Sequence, residues 1–519
     1  MSRLLRSTAI FSGMTLLSRV AGFVRDWLQA VMFGAGPAVS AFVVAYRIPN
    51  YLRRIFAEGS FASAFVPVLS ELRERGDQAA LQDFLDHVAG ALLAVVIVVT
   101  GLGMLAAPWI AHLFLAFASA QENPIPIGLT AEMLQVTFPY LVFISMTALA
   151  GGVLNSFRQF GLPAFTPVLH NLAVIAAMLG LAGYLDVPEM ALAWGVCLAG
   201  VAQFLLLWPA LGRLGLRPRL RFSLRHSGVR RVATLMLPTL FSSSVSQFNL
   251  LVGTMFASLL VAEAQSWLYY ADRLVEFPLG LFGVAIGTVI LPHLSGKHAG
   301  ADADGYSASL DWGLRMVLLA GMPAALGLAL LAGPICATLF NYGRFTVADT
   351  QMSALAVMAM SVGVPAFMLT KVLLAAFYAR QDTKTPMRAA VRTVVVNIVL
   401  MAAMVTPLWH VGVPGAHAGI ALATALAGVF NAVLLWRALR RAGIYQAGRG
   451  WGRFLLRLLF ACLVMCGVVL ALRGWIGDWT LLDWQFRLIY LFAVVAAGAV
   501  AFAAALLLAG LRPRHLKEH

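Results

Sequence analysis

Charge is what this sequence has least of. Only 11% of its 519 residues are Asp, Glu, Lys or Arg, against roughly a quarter in soluble domains. The acidic kind is scarcer still, at 22 residues against 37 basic ones. With 61% of the chain hydrophobic, a soluble fold has no means of hiding so much apolar surface, so the bilayer must be its solvent. Cysteine is nearly absent. Cys197, Cys336, Cys462 and Cys466 lie in apolar segments without metal-ligand spacing, and the one-turn separation of Cys462 and Cys466 reads as packing. Also missing are a phosphate-binding Walker loop, a His-Glu-x-x-His zinc helix and a nucleophile elbow. No catalytic residue, cofactor or metal is therefore expected, and the protein is not expected to be an enzyme. Any work it does must draw on an ion gradient, the membrane potential or the substrate's own gradient.

What is there is apolar and continuous. Runs such as 88–105 and 492–508 lack the alternation of barrel strands, which predicts an all-α polytopic membrane protein. Hydropathy predicts fourteen transmembrane helices near 7–33, 38–69, 84–114, 131–156, 162–184, 189–211, 232–261, 264–296, 311–339, 348–378, 386–408, 412–436, 454–473 and 485–510. The net charge of +15 does not point to nucleic acid, because the basic residues gather in connections on one side of these spans. Arg213, Arg217, Arg219, Arg221, Arg225, Arg230 and Arg231 share one such loop, whereas the opposite side holds Arg344, Arg473 and Arg487. That bias places both termini in the cytoplasm. Arg3 and Arg6 ahead of 8–17 imitate a signal peptide, but Arg19 and Arg25 interrupt the apolar stretch and no small-residue cleavage site follows. The segment is expected to be a first, retained helix.

The chain repeats itself. Phe65-Val-Pro-Val-Leu-Ser70 matches Ile290-Leu-Pro-His-Leu-Ser295 at an offset of 225, Pro139 matches Pro365 at 226, and Pro163 matches Pro386 at 223. Arg158-Gln159 matches Arg380-Gln381 at 222. A duplicated unit of about 225 residues with six spans returns the chain to its starting side, so the halves have parallel topology. This divides the sequence into an N-terminal half (1–212), a basic cytoplasmic connector (213–231), a C-terminal half (232–441) and two additional helices (442–519). Two six-helix halves about a central axis describe an alternating-access transporter with its substrate between them.

The scarce charges sit in telling places. The first span holds Arg19, Arg25 and Asp26; the second holds Arg47, Arg53, Arg54 and Glu58; the eighth holds Asp272, Arg273 and Glu276. Each charge facing lipid at mid-membrane costs on the order of 3 kcal/mol, so Arg19, Arg25, Arg53 and Arg273 together would cost on the order of 10 kcal/mol. They must face water, a counter-charge or a ligand. Arginine is always charged, and its planar fork suits phosphate or carboxylate, which favours an anionic, lipid-like substrate. The competing reading is that Asp26, Glu58, Asp272 and Glu276 merely neutralise them. Arg47 and Arg54 fit snorkelling to an interface, and His170 in the fifth span fits a packed polar residue.

The run Arg47-Ile-Pro-Asn-Tyr-Leu-Arg-Arg-Ile-Phe-Ala-Glu-Gly-Ser-Phe-Ala-Ser-Ala-Phe-Val-Pro-Val-Leu-Ser-Glu71 strongly resembles the MurJ/MviN family of lipid II flippases. Ser266-Trp-Leu-Tyr-Tyr-Ala-Asp-Arg-Leu-Val-Glu-Phe-Pro278 and Phe377-Tyr-Ala-Arg-Gln-Asp-Thr-Lys-Thr-Pro386 are similar to further signatures of that family. The resemblance implies the multidrug/oligosaccharidyl-lipid/polysaccharide (MOP, MATE-like) transporter fold. It also implies movement of lipid II, the undecaprenyl-diphosphate-linked disaccharide peptide, from the cytoplasmic to the periplasmic leaflet of the bacterial inner membrane, in peptidoglycan biosynthesis. It assigns substrate binding to Arg19, Arg25, Arg53 and Arg273. Gating or ion pairing falls to Asp26, Glu58, Asp272, Glu276 and Ser266, and the last two helices become a groove for the prenyl tail. Partners so implied are lipid II, membrane lipids and cell-wall synthesis proteins, with no nucleic acid. The chain departs from many relatives in carrying Ser40 where they have an aspartate, and no sodium-site carboxylates match in the seventh span. Two alternatives stay open: an exporter of another lipid-linked oligosaccharide or of a drug, and a non-transporting membrane scaffold for wall assembly.

Overall fold

The structure is a computed structural model that describes residues 3–56, 59–116 and 124–511; the side chains of 3–12, 55–56, 59–60, 63, 238–247, 284–285 and 288–289 lie outside the description. Among the described residues all regular structure is helical. The chain separates into two compact units, Met1–Ser266 and Trp267–His519.

Unit 1 contains α1 (Arg3–Phe33), α2 (Pro37–Phe56), α3 (Gly59–Glu74), α4 (Gln78–Phe114), α5 (Ile127–Thr137), α6 (Tyr140–Ser156), α7 (Gly161–Leu181), α8 (Met190–Arg213), α9 (Ser227–Ala257) and the start of α10 (Ala264–Pro278). Unit 2 continues through a π-helical turn, Leu279–Gly283, into α11 (Val284–Ala299), α12 (Ala303–Leu330), α13 (Ala332–Leu339), α14 (Val347–Ser361) and α15 (Val364–Ala379). It closes with α16 (Lys384–His410), α17 (His417–Arg441), α18 (Trp451–Ile476) and α19 (Trp484–Leu508). Among the described residues nine helices are long and apolar enough to cross a membrane, and the pair α14–α15, bent by 44°, makes a tenth. The protein is thus a multi-pass, all-helical membrane protein. The charge-bearing helices α1, α2 and α10 are not in that set.

The duplication read from prolines is visible in how helices start, stop and pack. Asp77 caps α4 by accepting from Ala80 N at 2.9 Å; 225 residues on, Asp302 caps α12 by accepting from Gly305 N at 2.8 Å. The ends of α6 and α15 close with the same wide turn, Gln159 N to Leu154 O (2.8 Å) and Asp382 N to Phe377 O (3.0 Å). Each turn places a non-glycine residue in the left-handed region, Arg158 and Gln381, both at φ 59°. Pro139 and Pro365 lie at the breaks between α5 and α6 and between α14 and α15, where their missing N–H interrupts no helical bond. Helix pairs recur as well: α7 on α8 matches α16 on α17, and α6 on α8 matches α15 on α17. In that second pair a Cβ on Gly200 would stand 2.7 Å from the Tyr140 ring, and one on Gly428 2.2 Å from the Phe367 ring. Only glycine permits such an approach of helix to aromatic ring.

Packing and repeat divide the chain at different places. The helix α9, which opens the second repeat, packs on α3 and α4 in unit 1, whose core runs through Phe65, Leu69, Phe84, Leu149, Val153 and Leu211. In unit 2, α18 and α19 have no counterpart in the first repeat. They pack on each other and against α12 and α13, burying Phe454, Leu458, Cys462, Trp479, Val494 and Leu506.

Each repeat also fastens the chain that leaves its last helix. In unit 1, buried Asp86 on α4 accepts from Arg219 N (2.9 Å) and Gln82 Nε2 (2.6 Å), and its carbonyl accepts from Arg221 N (3.0 Å). In unit 2, Asp311 on α12, 225 residues further, accepts from Tyr445 Oη (2.7 Å), Gly448 N (3.1 Å), Trp451 Nε1 (2.6 Å) and Arg315 Nε (2.8 Å).

Candidate functional site

In unit 1 the arginines are held by partners that the helix spacing supplies. Gly22 lets α1 lie against α7, where a Cβ would meet Asn171 Nδ2 at 3.4 Å. Asn171 donates to Ser18 O (3.1 Å) and accepts from Arg25 Nη1 (3.0 Å). The other side of the Arg25 fork meets Asp26 Oδ1, at 3.0 Å from Nε and 2.7 Å from Nη2. Asp26 is buried and Arg25 nearly so, at 14% side-chain exposure, so this ion pair is screened far less than a surface one. Beside Asn171, His170 is buried with its ring 5.6 Å from that of Tyr140, and the charges of Arg25 and Arg53 both act on it. Its Nδ1 has no hydrogen-bond partner. Arg53 donates from Nε to Asn50 Oδ1, one turn back, at 3.0 Å. Arg19 and Arg54 are exposed. Glu58 lies outside the described residues.

Further along α2, Ser40 and Arg47 are two turns apart and face the same neighbours. The buried hydroxyls of Ser40 and Ser266 are 2.8 Å apart. Arg47 Nη1 donates to Thr254 Oγ1 and to Gln265 Oε1 (3.0 Å), and Gln265 Nε2 donates to Thr254 O (2.7 Å). Arg47 is thus half-buried in a polar network rather than extended to an interface, because α9 and α10 bring three acceptors to it.

In unit 2 the 266–278 motif divides by chemistry. Trp267 Nε1 donates to Asp349 Oδ1 (2.8 Å), Tyr270 is buried against Phe340 and Phe345, and these anchor α10. Its charged end is more open. Arg273 Nη1 donates to Glu276 Oε2 at 2.9 Å, with side-chain exposures of 38% and 57%, and the Arg273 guanidinium lies over Tyr269 at 5.0 Å. Asp272 is half-buried. The carboxylate partners of Arg25 and Arg273 therefore come from their own helices.

Not every arginine in a span serves a site. Arg487, 7% exposed, donates to four carbonyls, those of Leu482 (2.7 Å), Thr480 (2.8 Å), Ala337 (2.9 Å) and Asn341 (3.2 Å), and ties the start of α19 to the end of α13. Arg315 stacks on Trp451 at 5.0 Å beside Asp311. Nothing in the spacing of 311, 315, 445 and 451 announced that cluster. Two cavities flank it. One of about 520 Å³ is lined by Asp304, Ser307, Asp311, Arg315, Gln446 and Arg449. The other, about 470 Å³, is almost wholly apolar, with Leu314, Leu318, Leu369, Leu373, Val433 and Trp436 in its wall.

The fold is that of a membrane transporter of the MOP superfamily. A solved inward-facing multidrug resistance MATE transporter of that superfamily aligns over 82% of this chain and 95% of its own, with a TM-score of 0.67 at 14% identity. A solved lipid II flippase MurJ in an inward closed conformation aligns over 96% and 98%, with a TM-score of 0.79 at 25% identity. The family model of the lipid II flippase MurJ matches residues 29–508. A probable lipid II flippase MurJ from Vibrio cholerae serotype O1 is 42% identical over 99% of this chain and 98% of its own. The lipid II flippase MurJ of Burkholderia cenocepacia is 42% identical over 96% of both. This chain belongs to the MurJ family of lipid II flippases, which are transporters and not enzymes.

Proposed function

We propose that this protein flips lipid II from the cytoplasmic to the periplasmic leaflet of the bacterial inner membrane, supplying peptidoglycan synthesis. The observation that carries the reading is identity of 41–42% across nearly the full length of three flippase relatives. Fourteen spans form two six-helix halves of parallel topology, 1–212 and 232–441, joined by the cytoplasmic connector 213–231, with both termini cytoplasmic. The halves alternate access to a cationic site in which Arg19, Arg25, Arg53 and Arg273 bind the diphosphate and sugars. Paired guanidinium forks suit that head group better than point charges do. Asp26, Glu58, Asp272 and Glu276 hold these arginines between substrate visits, and the Ser40–Ser266 contact acts as a gate. The segment 442–519 provides a groove for the prenyl tail; the apolar cavity beside Trp451 supports a chain-binding surface next to α18. An inward-negative membrane potential favours resetting the empty cationic carrier toward the cytoplasm. Cell-wall synthesis proteins are its expected neighbours.

Depletion tests this: lipid II should accumulate on the cytoplasmic leaflet, and an unchanged leaflet distribution sinks the reading. The scaffold alternative draws on the Arg25–Asp26 and Arg273–Glu276 pairs. If Arg19→Ala, Arg25→Ala and Arg273→Ala each insert stably and still support wall synthesis, the scaffold stands and the anion site falls.

A further inference from the structure

At the base of α4 in unit 1 lies a cluster that lipid transport does not call upon. Asp83 and His87, four residues apart, leave the same face of the helix. His226, distant in sequence, reaches them as the residue that caps α9. His226 Nε2 stands 3.1 Å from Asp83 Oδ2, and His87 Nδ1 stands 3.3 Å from Asp83 Oδ1. The imidazoles are parallel, with 3° between planes and 4.4 Å between centroids. Each residue brings a ligand atom within 4.8 Å of the other two, and all three are half-buried.

We propose that Asp83, His87 and His226 form a binding site for a divalent transition-metal ion of the Zn²⁺ type. Two imidazoles and one carboxylate are borderline donors that suit such an ion and disfavour Mg²⁺ or Ca²⁺, which want oxygen. Three protein ligands leave the fourth position to water. The supporting bonds are already in place on one side. His87 Nδ1 lies 2.8 Å from the Asp83 carbonyl; donating there leaves Nε2 bare for the metal, the usual outer arrangement of a ligating histidine. On the other side binding has a structural consequence. His226 Nδ1 accepts from Gly228 N at 3.2 Å, so Nε2 carries the ring hydrogen toward Asp83. A metal on Nε2 moves that hydrogen to Nδ1, and the capping bond to Gly228 opens. Metal occupancy is thereby coupled to the first turn of α9. The competing cation is Arg221, whose Nη1 is 3.6 Å from Asp83 Oδ1; Asp86 Oδ2, 3.9 Å from Arg221 Nε, receives it when the ion arrives.

The test uses the full-length protein without a histidine tag, in detergent and stripped with chelator. It is titrated with ZnCl₂ by calorimetry and with CoCl₂ by visible absorption, and Tm is measured with and without Zn²⁺. One equivalent should bind, raise Tm and give the d–d bands of four-coordinate Co²⁺, with MgCl₂ without effect. His87→Ala, His226→Ala and Asp83→Asn should each weaken Zn²⁺ by about tenfold or more, and Arg221→Ala should strengthen it. Monodisperse elution identifies folded variants, and His226→Gln replaces His226→Ala if the latter does not elute so. No Zn²⁺ uptake by the unsubstituted protein, or uptake undiminished in all ligand variants, overturns the proposal.

Discussion

The two repeats solve the same join in different ways. Both place an aspartate in the early turns of a long helix, Asp86 and Asp311, and both use it to fasten the chain leaving the repeat. In unit 1 the arginine at the join comes from the connector: the Arg221 backbone lies where a Cβ on Gly90 would come within 2.2 Å. In unit 2 the residue 225 positions after Gly90 is Arg315 itself, so the helix supplies the cation and the connector supplies Tyr445 and Trp451. The substrate arginines diverge likewise. Arg25 is braced across helices by Asn171, whereas Arg273 bonds along its own helix. Duplication preserved the backbone framework, and the chemistry was then written separately into each copy.

Substitutions that treat the copies differently sharpen this contrast. The largest effects should come from Arg25→Ala and Arg273→Ala. Each should slow flipping about 100-fold or more in a leaflet assay, since removing one partner of a desolvated charge pair costs about 3 kcal/mol. Equal losses would show that bracing by Asn171 adds nothing. Next, Asp311→Ala strands an arginine and three neutral donors and should destabilise by about 3 kcal/mol. Asp86→Ala, whose donors are all neutral, should cost about 2 kcal/mol; a larger Asp86 effect breaks the comparison. Both are read from Tm and from proteolysis of 213–231 against 442–450. Gly90→Ala should cost about 1–3 kcal/mol by overpacking against a backbone that cannot give way. The smallest effect lies at the matched caps. Asp77→Ala and Asp302→Ala should each lower Tm slightly at pH 7. Lys297, then the Gly305 amide, hold the Asp302 carboxyl below its ordinary value. Its contribution is therefore present above the unfolded carboxylate value of about 3.9 and lost as pH falls below it, so the Asp302→Ala difference should disappear in acid.

The framework was legible because prolines, apolar runs and caps act locally. Pro139 and Pro365 mark breaks wherever they fall, and Asp77 and Asp302 signal helix starts by type alone. Family motifs brought Arg25, Arg53 and Arg273 forward. What the sequence hid depends on distant pairing. Asn171 looks like any polar residue until α7 lies on α1. Arg47 reads as an interface residue until α9 and α10 deliver Thr254 and Gln265. His87 and His226 show no ligand spacing, because a connector and not a helix turn brings them together.

Arg487 changes how membrane arginines should be weighed. Four carbonyl oxygens close around its guanidinium much as they would around a dehydrated alkali ion, so the side chain serves as a tethered cation in a cage of backbone dipoles. A positive charge can therefore be stored in the bilayer with no anion at all, provided loose helix ends are turned toward it. What sets Arg25 and Arg273 apart is thus the kind of partner they keep. Carboxylates can be exchanged for a diphosphate, whereas a carbonyl cage is part of the wall.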